Sequence, residues 1–385
     1  MINKSITKKF LKTLEHLKYG SMDVTTPDGK IYSFKGSESG AHGDFNITNW
    51  RTITMFAAKG DVGLTEAYGQ NYWYTDNLPN LMLVGLQNEQ VLDGYLYGSI
   101  FGRLALRFAY LFTRNSFKGS KRNISAHYDL GNDFYKLWLD QSMTYSSAIY
   151  KSDKDTLNQA QTNKYNRIID NINSSGNLIE IGCGWGGFAN QAMQKGDYNI
   201  KGITLSQQQY TYAKNKLGSK ANIILEDYRI QHGKFDNIVS IEMFEAVGEK
   251  YWPTYFDKIK QLLANKGKAV IQTITIADNY FKSYQQGGDM IRSFIFPGGM
   301  LPSPNKFKSA ANKAGLKIDG EYSFGQDYAT TLLTWLKNFD VNLPQIKSMG
   351  FDSKFINIWR FYLSACYASF IVNRTGVMQY KLTHA

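Results

Sequence analysis

The stretch LIEIGCGWGGF, residues 178–188, constrains the fold of this 385-residue chain more than any other. Its first residues form a short apolar run of the kind a buried strand uses, and glycines then follow at 182, 184, 186 and 187. Glycines at this density mark a turn where another group must approach the backbone closely. A strand, a glycine turn and a helix form a unit of an α/β fold in which backbone N–H groups and the helix N-terminus face a ligand. The downstream pattern agrees. Strands are expected near 177–181, 199–203, 222–225, 236–241 and 268–274, alternating with helices near 187–195, 206–217 and 252–264. Such alternation predicts an α/β fold with a parallel sheet and helices on both faces. Residues 275–315 interrupt the repeat, and an insertion of that length at the C-terminal end of a strand lies where such folds build substrate pockets.

The chemistry around the turn narrows the ligand. Glu180 places a carboxylate beside the glycines, which repels a pyrophosphate and favours a cation, so the site points away from a dinucleotide. No G-K-S or G-K-T follows, which excludes a P-loop. Cys183 reads as a small filler rather than a nucleophile, because nothing nearby would lower its pKa. The second strand ends in GITLSQQQ without an acid, leaving Thr204, Ser206 and Gln209 to supply hydrogen bonds there.

Upstream, the chain to about residue 112 opens with an amphipathic helix around Ile6, Phe10, Leu11, Leu14 and Leu17, followed by a hairpin centred on Pro27-Asp28-Gly29 and by helical stretches. Residues 113–123, TRNSFKGSKRN, have the composition of a linker, which divides the chain into an N-terminal domain, 1–112, and a second domain, 124–385. The net charge of +12 calls for a polyanionic partner or serves solubility alone. Much of it is local: Arg103, Arg107, Arg114, Lys118, Lys121 and Arg122 stand with no acidic residue between 101 and 123, beside Phe101, Leu104, Phe108 and Leu111 at helical spacing. This combination suits an anionic membrane surface, and a packed helix with a solvated basic edge is the alternative. Two cysteines without a CxxC and five scattered histidines support neither a disulfide framework nor a metal site. No apolar run reaches the length of a membrane span and the start lacks the features of a signal peptide, so a cytoplasmic location is expected.

Six stretches in order carry a resemblance: NISAHYDLGNDFYKLWLDQSMTYSSAIY (123–150), EIGCGWGGF, GITLSQQQ, SIEMFEAVG, FIFPGGMLPS and DYATTLLTW. Together they resemble the cyclopropane-fatty-acyl-phospholipid synthases and related mycolic acid methyltransferases, from residue 123 to near the C-terminus. GDVGLTEAYGQNYW is similar, less specifically, to that family's lipid-handling domain. The resemblance implies a class I S-adenosylmethionine (SAM)-dependent methyltransferase, with a Rossmann-like, mostly parallel seven-stranded sheet and a smaller N-terminal α+β domain. It places Tyr145 and Ser146 along the SAM, Glu180, Gly182, Cys183 and Gly184 around its methionine part, Thr204, Leu205 and Gln209 around the ribose, and Tyr228 and Arg229 at the adenine. It further implies a bicarbonate ion held beside the transferred methyl by Glu245, Tyr328 and the carbonyl of Ile274. Two positions depart: Ser147 stands where the best-known members have cysteine, and Gln272 where they have histidine. Both can hydrogen-bond an oxyanion but neither adds positive charge, which weakens the inference of a bound ion.

The activity so implied is addition of a methylene group to the cis double bond of unsaturated acyl chains in membrane phospholipids. Methyl transfer to an alkene creates a carbocation, which aromatic faces can stabilise. Tyr280, Tyr284, Phe294, Phe296 and Tyr328 are candidates. A base must then take a proton from the new methyl group to close the ring, and a displaced base would give a methyl- or methylene-branched chain instead. Because the acyl chain lies in a bilayer, the enzyme is expected to sit peripherally at the inner face of the cell membrane. A non-catalytic lipid-binding protein is disfavoured by Glu245, Tyr328 and the glycine turn. A nucleic-acid substrate is disfavoured because SIEMFEAVG stands where a DPPY- or NPPF-like motif would. A homodimer is left open.

Overall fold

The computed structural model describes residues 2–99, 101–102, 119–120 and 130–385. The chain gathers into two compact units, Met1–Phe112 with Ser283–Pro297 and Leu343–Arg374, and Thr113–Lys282 with Gly298–Asn342 and Thr375–Ala385. The first break coincides with the start of the expected linker at 113, but the units are not continuous in sequence: two segments from beyond residue 124 pack with the N-terminal unit. The reason lies in the helix Ser353–Ile371, which buries Trp359, Phe361, Leu363 and Phe370. Phe361 meets Tyr68 and Trp73, each with ring centroids 6.2 Å away, and the Asn357 amide donates to the Tyr68 carbonyl at 3.0 Å.

In the first unit, β1 (Tyr19–Thr25) and β2 (Ile31–Lys35) form the expected hairpin, closed by Thr26 N–H donating to the Lys30 carbonyl at 2.9 Å. β3 (Glu38–Ile47) runs parallel to β1, and β4 (Trp73–Tyr74) completes a sheet of order β2-β1-β3-β4. The amphipathic helix Ile2–Leu14 buries Phe10, Leu11 and Leu14, with Phe10 packed edge-on to Phe45 and Phe56. Among the described residues no helix is long and apolar enough to cross a membrane. The six basic positions, Arg103, Arg107, Arg114, Lys118, Lys121 and Arg122, lie outside the described residues.

The second unit is built on seven strands: β5 (Ser175–Ile181), β6 (Asp197–Thr204), β7 (Asn222–Leu225), β8 (Phe235–Ile241), β9 (Leu263–Ile276), β10 (Leu316–Ser323) and β11 (Thr375–His384). Their order is β10-β11-β9-β8-β5-β6-β7. The five strands expected from the alternation are mutually parallel, while β11 runs antiparallel between β9 and β10. Leu178, Ile200, Val239 and Val270 from the strands and Ile168, Phe188 and Leu217 from flanking helices share one buried core. Chain order reverses at β5, whose successor β6 lies on one side and β8 on the other. A crevice therefore opens at the C-terminal ends of β5 and β8, the usual ligand position in open α/β sheets.

Candidate active site

β5 delivers Glu180 and the glycine turn to that crevice. Gly182 and Gly184 have φ of +81° and +51°, in the left-handed region that side chains disfavour. A Cβ on Gly182 would stand 2.9 Å from Met243 Cγ, whereas one on Gly184 would meet nothing within 4 Å. The latter is open backbone beside the N-terminus of the helix Gly187–Lys195. Glu180 is buried, and its Oε2 has no hydrogen-bond partner among the described residues. Burial pushes its pKa well up, opposed chiefly by the charge of Lys164. An orphaned carboxylate oxygen beside accessible glycine backbone fits the cationic methionine end of SAM.

The other cofactor positions share this edge of the sheet. The Thr204 hydroxyl, at the end of β6, donates to Gln209 Oε1 at 2.8 Å and accepts from Ser206 N–H, leaving the Gln209 amide nitrogen as the donor available to a ligand; Leu205 lies between them, half-buried. Tyr228 and Arg229 form a short turn after β7. The Arg229 guanidinium is bound to Asp227 at 2.5 and 2.8 Å, so the expected adenine contact would involve an arginine already held by a neighbouring carboxylate. Cys183 offers only its backbone: the side chain is buried toward Gly202 in the core, and burial pushes the thiol pKa well up. Trp185 donates from Nε1 to Asn132 Oδ1 at 2.7 Å and its ring lies 5.0 Å from Tyr135. Tyr145 joins this aromatic wall, 5.3 Å from both Trp138 and Trp335.

Ser146 and the helix Leu157–Asp170 bring in a residue sequence reasoning missed. Lys164 is fully buried, donates to Ser146 Oγ at 2.7 Å and lies 4.2 Å from the Tyr165 ring. Burial pushes its pKa down to about 7, against the upward pull of Glu242, Asp140 and Glu180. The helix is well anchored, since Thr156 and Gln159 cap it reciprocally.

Three of the five expected catalytic positions converge on a sixth residue, and the other two, Glu245 and Ile274, meet each other. Glu242 Oε1 accepts from Ser147 N–H at 2.8 Å and from Gln272 Nε2 at 2.7 Å, and Glu242 Oε2 accepts from the Tyr328 hydroxyl at 2.9 Å. Gln272 is oriented by Gln379, which pairs with it across β9 and β11 and donates to its Oε1 at 3.0 Å. Glu245 Oε1 accepts from Ile274 N–H, and its Oε2 is buried without a partner among the described residues. Tyr328, expected with Glu245 at a bicarbonate ion, gives its hydroxyl to Glu242. Ser147, expected to offer its hydroxyl to that ion, presents its backbone N–H to the cluster while its hydroxyl donates to the Ala148 carbonyl at 3.1 Å. Glu242 itself has φ of +50°, a conformation costing a glutamate about 1–2 kcal/mol. An acid ending an apolar strand, three residues before another acid, is the only sequence signal that could have drawn attention to it.

Burial raises the pKa of both carboxyls. At Glu245 it does so to about 8, and the charge of Glu242 adds to the rise. At Glu242 the donors Ser147, Gln272 and Tyr328 and the charge of Lys164 oppose burial. Of the two carboxyls Glu245 therefore holds a proton the more strongly, and the donors around Glu242 favour its ionised form.

A parallel sheet with a glycine turn after its central strand, followed by this arrangement of side chains, is that of a SAM-dependent methyltransferase. The fold is shared with coclaurine N-methyltransferase, whose structure covers 84% of this chain and 99% of its own at a TM-score of 0.64 and 17% identity. The chain belongs to the mycolic acid cyclopropane synthetase family, whose model matches residues 115–380. The cyclopropane-fatty-acyl-phospholipid synthase of Escherichia coli is 31% identical over 90% of this chain and 92% of its own. The tuberculostearic acid methyltransferase UfaA1 of Mycobacterium tuberculosis is 32% identical over 84% and 79%. The mycolic acid cyclopropane synthase CmaA1, solved with SAH and CTAB, superposes on 68% of this chain and 97% of its own at a TM-score of 0.64 and 28% identity.

Proposed function

We propose that this enzyme adds a methylene group to the cis double bond of an unsaturated acyl chain in a membrane phospholipid, forming a cyclopropane ring. The observation that carries this reading is the buried carboxylate–tyrosine cluster at the end of β8, beside the glycine turn that ends β5. SAM, when bound, supplies an electrophilic methyl group on a sulfonium. The chain's residues do the rest. Gly182 and Gly184 admit the ligand, and the carboxyl oxygens of Glu180 and Glu242 face its cationic end. An alkene is a poor nucleophile and must be held against the methyl with water excluded. Attack leaves a cation on the acyl chain; Tyr328, with the Trp335 ring 5.8 Å away, offers an aromatic face and Glu242 a negative charge. Of the other aromatic candidates, Tyr284, Phe294 and Phe296 belong to the first unit and Tyr280 to the second; the Tyr284 ring already carries the Arg292 guanidinium, 4.5 Å away.

Support for a phospholipid substrate comes from the Escherichia coli relative, whose similarity spans sequence of both units. The basic stretch Arg103–Arg122 is the proposed membrane contact, at the inner face of the cell membrane. A branched product is the second reading, favoured by the comparable similarity to a tuberculostearic acid methyltransferase. The test is expression in a bacterium lacking such an enzyme, followed by mass spectrometry of its fatty acids. A gain of one CH2 with the double bond replaced by a ring is expected. A saturated branched chain of matching carbon count would move the assignment to the second reading, and unchanged lipids would refute both.

A further inference from the structure

We propose that Glu242 is the base of the reaction, a carboxylate built into the chain in the position where the family resemblance implies bicarbonate. The inference deepens the function proposed above and rests on it.

The residues present do not fit the ion. Of the groups implied to hold it, Ser147 presents its N–H and Gln272 its amide to Glu242 Oε1, and Tyr328 gives its hydroxyl to Oε2. The remaining two are engaged in part: Glu245 Oε1 accepts from Ile274 N–H, and the Ile274 carbonyl accepts from the Thr273 hydroxyl at 3.2 Å, which leaves Glu245 Oε2 alone without a partner among the described residues. A bicarbonate entering here would displace Glu242 from its donors and stand as a second anion beside it, in a buried site where like charges repel strongly. The replacements at 147 and 272 now have a physical reading. A backbone N–H and a neutral amide satisfy a tethered carboxylate, and Gln379 fixes the amide with its nitrogen toward Glu242. Lys164, held on Ser146 Oγ at 2.7 Å, adds to this: when protonated, its charge and that of Glu242 favour each other. The backbone agrees: position 242 holds φ at +50°, where glycine would be unstrained. Strain retained at a side chain held by three donors points to a use for that side chain.

The two oxygens are not equivalent. Oε1 accepts two hydrogen bonds and Oε2 one, so Oε2 keeps a lone pair for a proton. In the step proposed, the alkene π pair forms the bond to the methyl carbon while the carbon–sulfur pair leaves with sulfur. The neighbouring alkene carbon becomes cationic. Glu242 Oε2 then takes a proton from the new methyl group, and the freed C–H pair closes the ring on the cationic carbon. Glu242 ends as the neutral acid and returns its proton to water once product leaves.

The test compares the full-length enzyme and two variants, Glu242→Gln and Glu242→Gly, on vesicles of unsaturated phospholipid with SAM, in buffer stripped of carbon dioxide and in buffer with added bicarbonate. Wild-type turnover should be the same in both. Glu242→Gln should lose on the order of 100-fold or more, the contribution of a general base, while still binding S-adenosylhomocysteine. Glu242→Gly, with donors exposed and strain relieved, should regain part of its rate when bicarbonate is added. Calorimetric titration with bicarbonate reads the site without turnover: no saturable binding to wild type, and binding to Glu242→Gly. Wild-type turnover that falls on removing bicarbonate, saturable binding of the ion to wild type, or a Glu242→Gln enzyme within a few-fold of wild type would each overturn the proposal. If wild type modifies no lipid, the proposed function fails, and the titration still decides whether Glu242 fills the ion's place.

Discussion

Glu245 and Gly184 show what single residues contribute. In the folded protein Glu245 holds its proton up to about pH 8, while the unfolded chain releases it near the ordinary glutamate value of 4.5. Its raised pKa therefore stabilises the fold fully below pH 4.5, and that contribution is lost as pH rises through 8. Glu245→Gln removes this dependence. Relative to wild type, the variant should gain up to about 4 kcal/mol between about pH 5 and pH 8, measured from denaturant midpoints; a difference independent of pH would mean that Glu245 does not hold a proton in the folded chain. At Gly184 a methyl group has room but the backbone is left-handed. Gly184→Ala should cost about 1–2 kcal/mol of stability and weaken SAM binding roughly tenfold or more, by about 1.4 kcal/mol per factor of ten. Retained affinity would show that the ligand does not approach this backbone. Ser147, Gln272, Tyr328, Glu245 and Ile274 were legible from sequence because each sits in a recognisable motif. Glu242 was not, because its meaning comes from donors 95, 30 and 86 residues away.

Elements position these groups through register. β9 and β11 pair so that Gln272 and Gln379 stand directly opposite, and this antiparallel pairing orients the amide that holds Glu242. Gln379→Leu would leave Gln272 Oε1 buried without a donor and free the amide to flip. We expect about 2 kcal/mol of destabilisation and roughly tenfold slower turnover, with S-adenosylhomocysteine affinity unchanged. Turnover equal to wild type would show that the amide needs no such support. The parallel strands were readable because each is a short apolar run bounded by turn residues and followed by a helical period. β10 and β11 were not, since they break that alternation. Leu316–Ser323 is largely exposed beyond its first residue, so it lacks the continuous apolar run that marked the others.

At the scale of the whole molecule, charge and connectivity matter most. Reversing the charge of Arg103, Arg107, Arg114, Lys118, Lys121 and Arg122 together should abolish co-sedimentation with anionic vesicles at low salt, at about 1 kcal/mol lost per residue near the surface. Binding and activity unaffected by the reversal would remove this stretch as the membrane contact. The sequence by itself determined the α/β class, the glycine turn and the family, because periodicity, turn chemistry and short motifs are local properties. It also marked a boundary near residue 113, where composition changes. That residues 283–297 and 343–374 return to the first unit was decided by tertiary structure, through contacts far apart in sequence such as Phe361 with Tyr68 and Trp73, and Met290 N–H donating to Asp61. The identity of the central carboxylate was decided in the same way. Whether a buried acid is a charge, an acid or a base depends on which donors, cations and second carboxylates surround it, and only the folded chain brings Ser147, Lys164, Glu245, Gln272 and Tyr328 to bear on Glu242.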